Sequence, residues 1–125
     1  MYTVAVTRDF IANHFLVGGD WGRENSLHAH HYVVEISVES DTLNRHGYLV
    51  DIVDLEAALD RVVDDFRDSL LNDKPAFAGL NPSLEHFSRI IAECLVSFLH
   101  EKPTGTLAVK LWENRTCWAG YRLAL

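Results

Sequence analysis

Twelve residues, His28 to Glu39, constrain this chain more than any other stretch. They read His-Ala-His-His-Tyr-Val-Val-Glu-Ile-Ser-Val-Glu. One face carries His28, His30, Tyr32, Val34, Ile36 and Val38; the other carries Ala29, His31, Val33, Glu35, Ser37 and Glu39. This alternation predicts a long strand with one apolar face. His28 and His30 continue the apolar face at its N-terminal end, so their imidazoles point toward an enclosed region. His31 falls on the opposite face and should not join them. A third imidazole from a neighbouring strand, such as His14, would complete a set of three nitrogens. Catalytic zinc is often held by three protein ligands, with a fourth position left for water or substrate. A His-x-His pair also arises by chance in a chain with seven histidines, so the rest of the sequence must decide.

Residues 2–12 alternate well enough to form an earlier strand, and Gly18 to Arg23 read as a loop. Asp41 to Gly47 is a turn. Asp51 is placed as a helix N-cap, with Asp54 at the capping-box position. Ile52, Leu55, Leu59, Val62, Val63, Phe66 and Leu70 follow at helical spacing. After a loop from Asn72 to Gly79, Asn81-Pro82-Ser83 opens a second helix. Its buried stripe is Leu84, Phe87, Ile90, Ile91, Leu95, Phe98 and Leu99, and Pro103 and Gly105 end it. Two strands close the chain, Leu107 to Glu113 and Trp118 to Leu123. The order ββααββ predicts an α+β fold, a four-stranded antiparallel sheet with two helices on one face. Open edges and apolar residues on both strand faces predict cover by another subunit.

At 125 residues the expectation is one domain, 1–125. A hydrophobic content of 48% suffices for a core. No apolar run reaches the roughly 18 residues of a membrane span. Met1-Tyr2-Thr3-Val4 begins directly with strand-like sequence, without a signal peptide. Cys94 and Cys117 have neither metal nor redox spacing, and Cys94 lies in an apolar helical pattern; a reducing cytoplasm is the expected location. The net charge of −7, without any Lys or Arg block, argues against nucleic acid as a partner. One or two local cations would still serve a small anionic substrate.

Six short motifs, in order, resemble one family. These are Phe10-x-Ala12-x-His14, His28-Ala29-His30, Gly47-x-x-Val50-Asp51, Leu71-Asn72, Asn81-Pro82-Ser83-x-Glu85 and Trp112-Glu113. They resemble the 6-pyruvoyl-tetrahydropterin synthase and 6-carboxytetrahydropterin synthase family, whose architecture is called the T-fold. The second motif has Ala where the family has Gly, and the fifth has Ser where it has Thr. The resemblance implies zinc on His14, His28 and His30, acting as a Lewis acid on substrate oxygens. It implies a pterin held by Glu113, a carboxylate offering two acceptors to parallel N–H donors, with Ser83 also in the substrate site. It further implies trimers whose sheets join into a barrel, stacked into hexamers, with active sites between subunits.

The departures bear most on chemistry. The family's general base is a cysteine before His-Gly-His, and in queuosine-pathway members it lies four residues before the first histidine. Glu24 occupies that position here. The family's Asp-His pair ahead of Leu-Asn falls on Arg67 and Asp68. Arginine cannot accept a proton, whereas Glu24 and Asp68 can. Glu24 is therefore the candidate base and Asp68 the second acid–base group; otherwise both are solvent-facing carboxylates. A branch with glutamate in place of cysteine resembles an aldolase-like activity, giving 6-hydroxymethyl-dihydropterin for folate synthesis. Three functions follow as expectations: a zinc-dependent carbon–oxygen or carbon–carbon lyase on 7,8-dihydroneopterin triphosphate or a relative, an aldolase-like variant, and a non-catalytic pterin-binding protein.

Overall fold

The alternating segments pair as their period demands. The computed structural model describes residues 1–125. Strand β1 (Tyr2–His14) runs antiparallel to β2 (His28–Ser40). Helix α1 (Ile52–Phe66), helix α2 (Leu84–Phe98), strand β3 (Thr106–Trp112) and strand β4 (Trp118–Ala124) follow. The sheet order is β1-β2-β3-β4, antiparallel throughout. This is the predicted ββααββ arrangement.

Both helices bury one stripe each against the same sheet face. Tyr32, Val34, Ile36 and Val38 of β2 meet Leu107, Val109 and Leu111 of β3 and the helix stripes in one hydrophobic cluster. Burying each large apolar side chain contributes about 1.5–3 kcal/mol. Arg8 ties β1 to α1, with its guanidinium 2.7 Å from Asp60 and 2.9 Å from Glu56. Those two hydrogen bonds push its pKa up, so it stays charged. No helix is long and apolar enough to cross a membrane.

Several local expectations change. The Asp51 carboxylate caps α1 by accepting from Val53 N, but Asp54 turns away and accepts from His100 N at 3.3 Å. The helix stops at Phe66, before Leu70, because Asp68 takes a left-handed backbone at φ 57°. The chain then folds onto β1: Asp68 N donates to Ile11 O at 2.6 Å and Asn13 N donates to Ser69 O at 2.8 Å. This turn covers part of an otherwise open strand edge. Helix α2 begins at Leu84, two residues after Pro82, with Ser83 as its N-cap, and ends at Phe98, well before Pro103. The expected loop after Leu70 contains two 3-10 turns, Leu71–Asp73 and Pro75–Phe77. Glu113 falls one residue beyond β3.

Candidate metal centre

Register decides what the strands bring together. His14 is paired with His28 across β1 and β2, and Ala12 with His30. All three histidines therefore lie on the helix-covered face at one end of the sheet. His14 Nε2 is 2.9 Å from His28 Nε2, which is 3.1 Å from His30 Nε2. Glu24, in the 3-10 turn Gly22–Asn25, brings Oε2 to 2.9 Å from His28 Nε2. One donor atom from each of these four residues lies within 4.8 Å of the others. The cluster is graded in exposure: His14 is buried, His28 and His30 half-buried, and Glu24 exposed.

The outer nitrogens set the chemistry. His14 Nδ1 lies 3.0 Å from Pro82 O, and His28 Nδ1 lies 2.7 Å from Ser26 O. Carbonyl oxygens only accept, so each Nδ1 carries the proton and each Nε2 of a neutral ring bears a lone pair. Two lone pairs facing each other at 2.9 Å are repulsive unless a cation sits among them. Burial, the largest effect on His14, lowers its pKa, and the neighbouring His28 and His30 act in the same direction. The His14 ring thus resists protonation, which keeps its Nε2 lone pair available to a metal cation. Neutral imidazole fixed by a second hydrogen bond is the form in which histidine ligates metals.

The sequence motifs build this frame. The Asn72 side chain clamps Phe15 from both sides, accepting from its N at 3.0 Å and donating to its O at 2.9 Å. Asn81 Oδ1 accepts from Val17 N at 2.8 Å. Leu16 N donates to Glu24 O at 2.8 Å, and Asn25 Nδ2 donates to Leu16 O and Gly19 O, both at 3.0 Å. Asn25, Ser26, Asn72, Asn81 and Pro82 are thus supports of the site. Sequence reasoning assigned them no such role, because backbone partners leave no trace in residue type.

The remaining candidates are placed unevenly. Glu113 Oε2 lies 3.8 Å from His30 Nε2, next to the cluster. It also borders a concavity lined by Thr7, His31, Val33, Glu35 and Trp112. Ser83 Oγ accepts from His86 N at 3.1 Å while Pro82 O, one residue earlier, holds His14. Asp68 is exposed and outside the four-residue group. His31 pairs with Asp9 at 2.6 Å on the other sheet face, as its strand position requires. Tyr32, stacked on Phe10 beneath the histidines, has its pKa raised by burial and by Glu113 and Glu24, so it stays a neutral phenol.

A four-stranded antiparallel sheet with two helices on one face and histidines converging at one sheet end defines a T-fold protein. The chain belongs to the 6-pyruvoyl tetrahydropterin synthase family, whose sequence profile matches residues 3–124. No curated protein matches it. The fold is similar to that of Caenorhabditis elegans 6-pyruvoyl tetrahydropterin synthase, with a TM-score of 0.83 at 19% identity, covering 96% of this chain and 94% of the other. It is also similar to the Plasmodium falciparum enzyme of that name, with a TM-score of 0.78 at 15% identity, covering 98% and 99%. A Plasmodium vivax 6-pyruvoyltetrahydropterin synthase bearing alanine in place of a catalytic glutamate matches with a TM-score of 0.76 at 14% identity, over 100% of both chains.

Proposed function

We propose that this protein is a zinc-dependent lyase of the tetrahydropterin synthase type, acting on 7,8-dihydroneopterin triphosphate or a close relative. The observation that carries this reading is the convergence of His14, His28, His30 and Glu24 within 4.8 Å at one sheet end. Family membership supports a pterin as the substrate class. When bound, zinc would polarise the oxygens of the substrate side chain. His14, His28 and His30 would hold it, since each Nε2 faces the centre of the cluster. Glu113 binds the guanidine-like edge of the pterin through its two carboxylate oxygens. Ser83, whose Oγ already accepts at the helix cap, retains its hydroxyl proton for a substrate acceptor.

Glu24 is the general base, taking a proton onto its carboxylate from the substrate side chain. The glutamate described as catalytic in the Plasmodium vivax protein supports this role. Asp68 is the second acid–base group. Its place outside the cluster suits a site completed by a neighbouring subunit in a trimer or hexamer. A pterin is then the small-molecule partner and the cytoplasm the place of work. Two variants of the reading each have an observation in their favour. Glutamate as base suits aldolase-like cleavage, and the lack of a second acid–base group among the four clustered residues suits a non-catalytic pterin-binding protein.

The deciding experiment incubates zinc-loaded protein with 7,8-dihydroneopterin triphosphate and identifies the products by mass. Loss of triphosphate without loss of side-chain carbon is the expected result. A 6-hydroxymethyl product would assign the aldolase-like variant. Tight binding without turnover would replace the lyase with a binding protein. Glu24→Gln should lower turnover by about 100-fold or more.

A further inference from the structure

Glu24 stands where a ligand stands, not only where a base would wait. Its Oε2 is 2.9 Å from His28 Nε2, matching the 2.9 and 3.1 Å spacings among the imidazole nitrogens. Donor atoms around a tetrahedral zinc, each about 2.0–2.1 Å from the metal, stand about 3.3 Å from one another. The carboxylate oxygen is thus spaced from its neighbour as the nitrogens are from theirs. Its backbone is pinned by the Leu16–Glu24 hydrogen bond and by the side chain of Asn25. The side chain, by contrast, is exposed, whereas His14 is buried. A fixed backbone with an exposed side chain lets the carboxylate enter or leave by side-chain rotation alone.

We propose that Glu24 is a displaceable fourth metal ligand. In the substrate-free protein it completes the three-histidine set. It swings out when a ligand with vicinal oxygens, such as a diol or hydroxy-ketone side chain, takes its place. Two oxygen donors on one molecule offset the loss of one carboxylate; a lone hydroxyl does not. The base is therefore occupied until substrate arrives and is then freed beside it. This rests on the zinc reading of the site but adds a role that proton transfer alone does not require.

The test reads metal binding, not turnover. Metal-free wild type and Glu24→Gln are titrated with Zn²⁺ against a chromogenic chelator, and with Co²⁺ followed by visible absorption. Glu24→Gln keeps the size of an exposed side chain, and an unchanged circular dichroism spectrum checks its fold. Zinc affinity should fall at least about tenfold in Glu24→Gln, and its Co²⁺ band should differ from that of wild type. Neopterin, which carries vicinal hydroxyls, should shift the wild-type band toward that of neopterin-bound Glu24→Gln. Equal affinity and identical Co²⁺ spectra in the two proteins would overturn the ligand role while leaving the zinc reading intact. Failure of wild type to bind either metal would overturn both.

Discussion

At the scale of residues, protonation and hydrogen-bond capacity decide what the cluster does. Burial lowers the pKa of His14 below its ordinary 6.5. Above that pH neither folded nor unfolded His14 carries a proton, and it has no effect on stability. Below it the unfolded chain binds a proton that the folded one refuses, so stability falls as pH falls, levelling off below the folded pKa. Urea denaturation of the metal-free protein between pH 7 and pH 5 should show this loss, and His14→Gln should flatten it. Glu113 offers a second residue-scale check. Glu113→Gln replaces one acceptor oxygen with a donor, which would face the N–H edge of a pterin in the proposed site. Neopterin binding should weaken by about 2–4 kcal/mol. Calorimetry giving the same affinity for both proteins would remove Glu113 from the ligand site.

At the scale of elements, strand register and turn geometry aim the side chains. The β1–β2 register places His14 opposite His28; a one-residue slip would send His28 and His30 to the face occupied by His31. At the far end of the sheet, Gly105 brings the chain into β3 at φ 135°, where an added Cβ would lie 2.1 Å from Glu39 O. Gly105→Ala should destabilise by about 2 kcal/mol or more in urea unfolding, through backbone strain and the clash. Zinc content should stay intact, since the histidines lie at the other end. The turn at Asp68 also belongs to this scale. Its left-handed backbone favours Asp, Asn or Gly, so Asp68→Asn isolates the carboxylate's chemistry from the fold, whereas Asp68→Ala would mix the two.

At the scale of the whole molecule, the sheet leaves strands β1 and β4 at its edges and one face without helices. That face mixes Ile11, Val33 and Trp118 with charged residues; these three are each more than a third exposed. Such edges and patches invite pairing between copies. Light scattering at micromolar concentration should give a trimer or hexamer, and a monomer would leave Asp68 without a route to the histidine cluster.

Alternation in residues 28–39 was enough to read β2, its inner face and the shared direction of His28 and His30, because side-chain direction in a strand follows sequence parity. Helical spacing was enough for α1 and α2, though not for their ends. Those ends are set by where Asp68 docks on Ile11 and where Asp54 meets His100, contacts between residues far apart in sequence. The same limit holds at the site. Residue types and motifs pointed to His14, His28, His30, Glu24 and Glu113. Only the tertiary structure decided that Pro82 O and Ser26 O turn two imidazoles into facing lone pairs, and that Glu24 joins them while Asp68 does not. Backbone carbonyls are common to every residue, so their placement is set by the folded chain and not by the identity of any one amino acid.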